Sequence, residues 1–478
     1  MGALIGLILG LGYCVMRTWG VPVAVVASVV LLGGCASIHN EPVNRPLAAN
    51  ASAVPDSGRE VSSYEDELLL ALSFSGGGTR AAAFSHGVLT EMDTTRLRGR
   101  SGPTSLLDRV DFVSGVSGGA ITAAYFGLKK RAALDDFRER FLLRDAEEGL
   151  RTNLSILNVS RALAGGVNDS TGFTRWLDQN LFEGATFAEF RADRRPRIWI
   201  NAADIYNRTT FVFGATAFSA MCSDLSSYPL ADAVAASAAV PVVFAPVVIQ
   251  NFSGSCNRPL PDWIVRARAD PAAAPMLKAF ANAIGRYHDG SIRFVKLLDG
   301  GLVDNYGLSG FTIARLSSNT PYGPLTQRQA VKLRRVLAMV VDAGRGLSGD
   351  WTQTVEGPSG PELVVAAADT AIDASVRASY TAFDRTMLEW QNALVRWRCS
   401  LSADQRTRLG APANWRCADI KIFVTRLGFD QLGPQRAAEL DKIKTSFKLS
   451  PDEVDAVIAA GRDALRANQT YRTFLSSM

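Results

Sequence analysis

Three groups of residues in this chain of 478 have the types and spacing for acyl-transfer chemistry. The first is Gly115-Val116-Ser117-Gly118-Gly119. It follows a short β-type run at 110–113 and precedes small, helix-compatible residues at 120–124. Strand, sharp turn and helix form a setting in which a serine is held exposed in a strained backbone and glycines on either side relieve the crowding. Its hydroxyl then stands at a helix N-terminus, where partial positive charge favours a developing anion. About 0.3 chance matches to G-x-S-x-G are expected in a chain this rich in glycine and serine, so the other two groups decide the reading. One is Ser75-Gly76-Gly77-Gly78-Thr79-Arg80, which ends an apolar run, LLLALSF, and opens a helical stretch at 81–92. Three consecutive glycines let backbone N–H groups converge on one point, as an oxyanion hole requires. The third is Asp299-Gly300-Gly301, after a strand at 294–298. Its glycines allow a tight turn from which a carboxylate projects.

The glycine run fits no phosphate loop, since neither Gly-Lys-Ser/Thr nor the G-x-G-x-x-G spacing is present. Histidine is scarce. His39 lies near the N-terminus, His86 reads as an ordinary helical residue, and His288 lies just before Asp299. A Ser-acid-His order would be met by Ser117, Asp204 and His288, which makes a triad esterase the alternative mechanism. A dyad of Ser117 and Asp299 needs fewer coincidences.

The elements that must position these groups alternate. Buried strands are expected at 68–74, 110–113, 197–203, 294–298 and 336–341, with helices between them. That pattern predicts an α/β fold with a mainly parallel central sheet flanked by helices. In such sheets sites lie beyond the carboxyl ends of strands, and all three groups sit at predicted carboxyl ends. More polar helices at 132–144 and 173–181 are expected to cap the site. An insertion spans 251–291, a long helical stretch 360–398, and a late strand 420–427. The helix opening at Ser450-Pro451-Asp452-Glu453 carries an N-cap serine, an N1 proline and a capping-box glutamate.

Hydrophobic residues make up 47% and charged residues 20%, enough for a packed core, and the net charge of +5 is scattered without a basic run. This argues against a nucleic-acid footprint. Residues 21–32 have the length of a signal-peptide apolar core and end in Leu32-Gly33-Gly34-Cys35. That sequence resembles the lipobox of bacterial lipoproteins, in which the cysteine is lipidated. The resemblance implies a lipid anchor on Cys35 and, with Ala36 rather than Asp next to it, an outer-membrane address. Met16-Arg17 supplies the charged start that residues 2–15 lack, so initiation is expected at Met16. Apart from Cys14, which precedes the expected start, and Cys35, the four other cysteines fall into two local pairs. Cys222–Cys256 and Cys399–Cys417 disulfides are expected in an oxidising compartment, and no metal ligand spacing is present. The expected organisation is a signal at 1–34, a flexible tether at 35–63, a catalytic domain at 64–345 and a mostly helical region at 346–478.

Over about 66–345 the chain resembles the patatin-like phospholipase family. The glycine loop Gly76-Gly77-Gly78-Thr79-Arg80, the elbow Gly115–Gly119 and Asp299-Gly300-Gly301 stand in the family's order, and Ser237-Ala238-Ala239-Val240-Pro241 looks like a further family segment. Ser75 stands where many members have aspartate. The resemblance implies a modified α/β-hydrolase sheet with a helical C-terminal extension. It also implies a lipid acyl hydrolase with Ser117 as nucleophile, Asp299 as base, and the amides of Gly76, Gly77 and Gly78 as oxyanion hole. Arg80 would order the loop. No cofactor or calcium is required, and the partner is an acyl-ester lipid of the membrane. A non-catalytic envelope lipoprotein that binds lipid or protein is the reading from another class.

Overall fold

A computed structural model describes residues 38–48, 67–99, 102–148, 150, 165–190, 195–346, 351–353 and 355–478. The expected signal, Met16, Cys35 and most of the tether lie outside the described residues.

Among the described residues ten strands are formed: β1 (Leu68–Phe74), β2 (Arg96–Gly99), β3 (Gly102–Ser105), β4 (Phe112–Val116), β5 (Arg197–Asp204), β6 (Thr209–Val212), β7 (Val247–Gln250), β8 (Phe294–Asp299), β9 (Arg335–Val341) and β10 (Lys421–Leu427). Six helices matter most here: α1 (Gly78–Thr94), α2 (Gly118–Lys129), α3 (Leu230–Ser237), α4 (Gly360–Cys399), α5 (Pro451–Ala467) and α6 (Gln469–Ser476). The central sheet runs β10-β9-β1-β4-β5-β8-β7, with β6 also paired to β5, and β2 and β3 form a separate hairpin. The five strands from β10 to β5 are parallel.

Alternation along β1 and β9 divides the core. Leu70, Leu72 and Phe74 face one side with Leu337, Met339 and Val341. Leu69 and Ala71 face the other with Val336, Ala338 and Val340. Because both faces are covered, these strands read as continuous apolar runs. One face is closed by α1, α2 and α5. The other is closed by α4, whose Phe383, Met387, Trp390 and Leu394 follow the helical period.

The expected mainly parallel sheet is present; two details refine it, and a third expectation needs correction. First, β8 is antiparallel to β5 and β7 antiparallel to β8. Asp299 therefore reaches the site from the opposite direction to Ser117. It can do so because β5 outruns β4: Val116 pairs with Asn201, and the next residue, Ala202, pairs with Asp299. Second, the region after 345 is more than a helical extension, because β10 joins the parallel sheet beside β9. Third, residues 38–48 do not form a free tether. Asn40 is buried; its side-chain amide donates to the carbonyls of Ala245 (2.9 Å) and Pro246 (3.1 Å) and accepts from the N–H (2.7 Å) and hydroxyl (2.9 Å) of Ser170. Asn44 donates to Ser223 Oγ and the Gln250 carbonyl and accepts from the Gln250 N–H.

Disulfides join Cys222 to Cys256 and Cys399 to Cys417. The first ties the 251–291 insertion to the body. The second ties the end of α4 to the chain entering β10. The insertion holds two helices, Asp262–Ala269 and Pro275–His288. Among the described residues no helix is long and apolar enough to cross a membrane.

Helices α1 and α5 cross at two glycines. A β-carbon on Gly87 would lie 2.1 Å from the carbonyl oxygen of Ile458, and one on Gly461 2.3 Å from that of Phe84. Gly87→Ala is therefore expected to overpack this crossing at a cost of about 1–3 kcal/mol and to lower the thermal midpoint. Gly172, which faces open space, is the control, and Gly172→Ala should leave the midpoint nearly unchanged. Equal midpoints for both variants would refute the close crossing.

Candidate active site

The elbow forms where β4 stops. Ser117 takes φ 52° and ψ −122°, a left-handed conformation rare for a residue with a side chain. Such strain persists only where surrounding structure holds it. Two contacts do this. The N–H of Ser117 donates to Ser237 Oγ at 2.9 Å, and that hydroxyl donates to the carbonyl of Asn201 at 2.5 Å. Gly118 packs so closely on the glycine loop that a β-carbon there would lie 1.9 Å from the carbonyl oxygen of Gly78. Ser117 begins α2 and is largely buried.

Asp299 follows on the adjacent level of β5. Its N–H donates to the carbonyl of Ala239 at 2.8 Å, and the N–H of Gly300 donates to that of Ser237 at 3.1 Å. Its carboxylate accepts the N–H of Gly301 at 2.8 Å. Burial pushes its pKa up to about 6; the Gly301 N–H and the neighbouring Ser117 hydroxyl act in the opposite sense and are outweighed. The segment 237–239 therefore holds the backbone of both Ser117 and Asp299.

The glycine loop follows β1. Gly77 (φ 136°) and Gly78 (φ 59°) both adopt conformations that side chains disfavour. The N–H of Gly76 donates to the carbonyl of Asn305 at 3.1 Å. Its amide is thus occupied, which takes Gly76 out of the expected set of three amides. The N–H groups of Gly77 and Gly78 have no hydrogen-bond partner among the described residues.

Arg80 is buried rather than at the surface. Its Nε donates to the carbonyl of Ala343 at 2.9 Å and a terminal nitrogen to that of Ile443 at 2.6 Å. Burial, with Arg345 nearby, lowers its pKa to about 10, so it is still a cation at neutral pH. Ser75 Oγ accepts the N–H of Ala343 at 3.0 Å and donates to the carbonyl of Gly76 at 3.1 Å. The hydroxyl thus fills the support position that the departure from aspartate had put in question.

The triad alternative loses its geometry. His288 Nε2 lies 2.7 Å from the carbonyl oxygen of Arg258. The Asp204 carboxylate accepts the N–H groups of Tyr206 and Asn207 and the hydroxyl of Tyr287. Neither is hydrogen-bonded to the other or to Ser117. His86 is buried against Phe137, and burial lowers its pKa to about 4, the behaviour of a core histidine. Among the described residues no His, Cys, Asp and Glu cluster could hold a metal ion.

Two contributors escaped the sequence reading. Asn305 stands beside both Gly76 and Gly301: β-carbons on them would lie 2.4 and 2.8 Å from its Oδ1. Ser446, in the last quarter of the chain, accepts the N–H of Thr79 at 2.8 Å, and a β-carbon on Gly78 would lie 2.4 Å from the same carbonyl oxygen. Asn305 was readable as the fourth residue past Gly301. Nothing in the local sequence marks Ser446.

The family model for patatin-like phospholipase matches residues 72–312. The chain belongs to the patatin-like phospholipase family. The structure is similar at a distance to human GIVD cytosolic phospholipase A2 (TM-score 0.40, 12% identity, covering 86% of this chain and 63% of that one). It is also similar to VipD from Legionella pneumophila (0.30, 12%, 87% and 68%). A third likeness is to the ExoU–SpcU heterodimer of the type III secretion system of Pseudomonas aeruginosa (0.24, 14%, 92% and 73%). The chain thus spans 63% of the length of the human protein, and these likenesses are too distant to assign an activity. No curated protein matches the chain.

Since Gly118 and Gly78 meet backbone to backbone, Gly118→Ala is expected to leave a folded protein whose glycine loop is displaced. The rate at which Ser117 reacts with a fluorophosphonate should fall by about 100-fold or more, the scale of a lost oxyanion donor. An unchanged labelling rate with an unchanged circular-dichroism spectrum would show that the loop does not govern the serine.

Proposed function

We propose that this protein is a lipid acyl hydrolase of the phospholipase A type that uses Ser117 and Asp299 as a dyad. The observation that carries the reading is that segment 237–239 holds the backbones of Ser117 and the buried Asp299 together, with the amides of Gly77 and Gly78, which have no partner among the described residues, on the neighbouring loop. Family membership supports the lipid ester as substrate.

In this mechanism Ser117 Oγ attacks the ester carbonyl carbon while its proton passes to Asp299. The negative charge that develops on the carbonyl oxygen is met by the N–H groups of Gly77 and Gly78 at the start of α1. The tetrahedral intermediate collapses, the C–O bond to the alcohol breaks, and the departing lysolipid or alcohol takes the proton from Asp299. Water then attacks the acyl-serine, giving its proton to Asp299. Collapse releases the fatty acid and returns the proton to Ser117. An ordinary carboxylate is too weak a base for this cycle. Burial raises the proton affinity of Asp299 towards the working pH, which is the adjustment general-base catalysis requires.

A lipid anchor at Cys35 and an outer-membrane address remain part of the proposal, supported by the resemblance of residues 21–35 to a lipoprotein signal and by the two disulfides, which suit an oxidising compartment.

The test is fatty-acid release from phospholipid vesicles and from a p-nitrophenyl ester. Wild type is expected to cleave both, Ser117→Ala neither, and Asp299→Asn neither at a measurable rate. A folded wild type that cleaves no ester would refute the proposal.

Two pH effects follow from Asp299. Its ionised form is the base, so kcat/KM should rise as pH climbs through about 6 and then level. The raised pKa also means that the folded state binds this proton more tightly than the unfolded chain, so stability is full in acid and declines as pH rises towards 6. Asp299→Asn removes that cost. Its thermal midpoint should exceed the wild-type value at pH 8 but not at pH 4, and a variant less stable than wild type at pH 8 would contradict a buried, desolvated carboxylate.

A further inference from the structure

The strap at 38–48 and the loop at 240–246 bear on how the body meets a membrane. Asn40 is fixed to Ala245, Pro246 and Ser170 by four hydrogen bonds. It lies five positions after Cys35, so an acyl chain on that cysteine would start no more than about 18 Å from Asn40. Val240 and Val242 project from the same loop, 39% and 53% exposed, and Val43 on the strap is 45% exposed. Val242 adopts φ 74°, a conformation costly for a β-branched residue. It is held there by the N–H of Val167 on its carbonyl, while the N–H of Asn168 holds Val243. A valine in a strained conformation with more than half its surface in water gains nothing within the isolated molecule. The loop is also continuous with the catalytic backbone: Ala239, next to Val240, accepts the N–H of Asp299.

Resting on the reading of a Cys35-anchored lipid hydrolase, we propose that the turn Val240-Pro241-Val242, with Val43, is the surface through which the protein sits on the bilayer. The occupant is the bilayer that the Cys35 acyl chains enter, because the strap ends there and is too short to let the body turn away. Seated so, the turn at the bilayer is the one that adjoins Ala239, the acceptor of the Asp299 N–H. The exposed charges on the strap and the facing loop are of both signs, Arg45 against Glu41 and Asp169. Net attraction to anionic lipid is therefore not the basis of the contact, which depends on apolar insertion and should respond weakly to salt.

The experiment uses the full lipidated chain in phosphatidylethanolamine–phosphatidylglycerol vesicles. With Cys35 acylated and the other four mature cysteines in disulfides, a cysteine placed at Val242 is a single labelling site for an environment-sensitive fluorophore. Leu388, 58% exposed on α4 over the other face of the sheet, is the control. Val242→Cys is expected to show a blue-shifted emission quenched by lipid-borne spin labels, unchanged between low and high salt, and Leu388→Cys to show neither. Solvent-like emission at both positions, or insertion at 388 instead, overturns the proposal. In a second arm, Val240→Asp combined with Val242→Asp should lower vesicle phospholipid hydrolysis about tenfold and leave cleavage of the soluble ester within twofold. Equal loss on both substrates would also overturn it. The fluorescence arm needs no turnover, so an enzyme that cleaves no ester would count against the hydrolase reading without being mistaken for failure of this one.

Discussion

Two backbone amides, at Gly77 and Gly78, must stay unbonded within the protein while the loop carrying them is held still. Buried N–H groups normally find partners, and loose glycines normally wander, so the loop needs support that leaves those two groups alone. It comes from three remote segments. The carbonyl of Asn305 takes the amide before them, the carbonyl of Ser446 takes the amide after them, and Arg80 reaches back to Ala343 and Ile443. Packing of Gly118 against Gly78 then sets the loop against the serine elbow.

Asp299 meets a different constraint. A carboxylate gains basicity by losing water, and each hydrogen bond to it works the other way. Asp299 accepts one backbone amide, that of Gly301, the first residue of the short helix Gly301–Asp304 that follows β8, and burial outweighs it. β8 arrives against the direction of β4, so its last residue stops level with the elbow.

Much of this was legible beforehand. The apolar runs of β1 and β9 announce strands buried on both faces, and glycines around Ser117 and after Asp299 mark turns that no bulkier residue could make. Local spacing also paired the cysteines. What escaped has a common cause. The direction of β8 depends on which strand it pairs with, and a run such as 294–298 looks the same either way. Ser446 acts through a carbonyl, which every residue possesses, so its type carries no signal. The docked strap at 38–48 was taken for a tether because a Pro- and Asn-rich composition suits both. What distinguishes them is whether Asn40 and Asn44 find buried partners, and those lie about two hundred positions away.

The reach of Arg80 to Ile443 spans 363 positions. A ribosome delivers the glycine loop, the elbow and the aspartate long before it delivers the segment that steadies them. Domains gain their tertiary contacts as the chain emerges, so the nascent protein passes through a long stage at which every reacting group has been made and none is yet held in register. The glycine loop therefore reaches its held form only once the segment around Ile443 and Ser446 has been made.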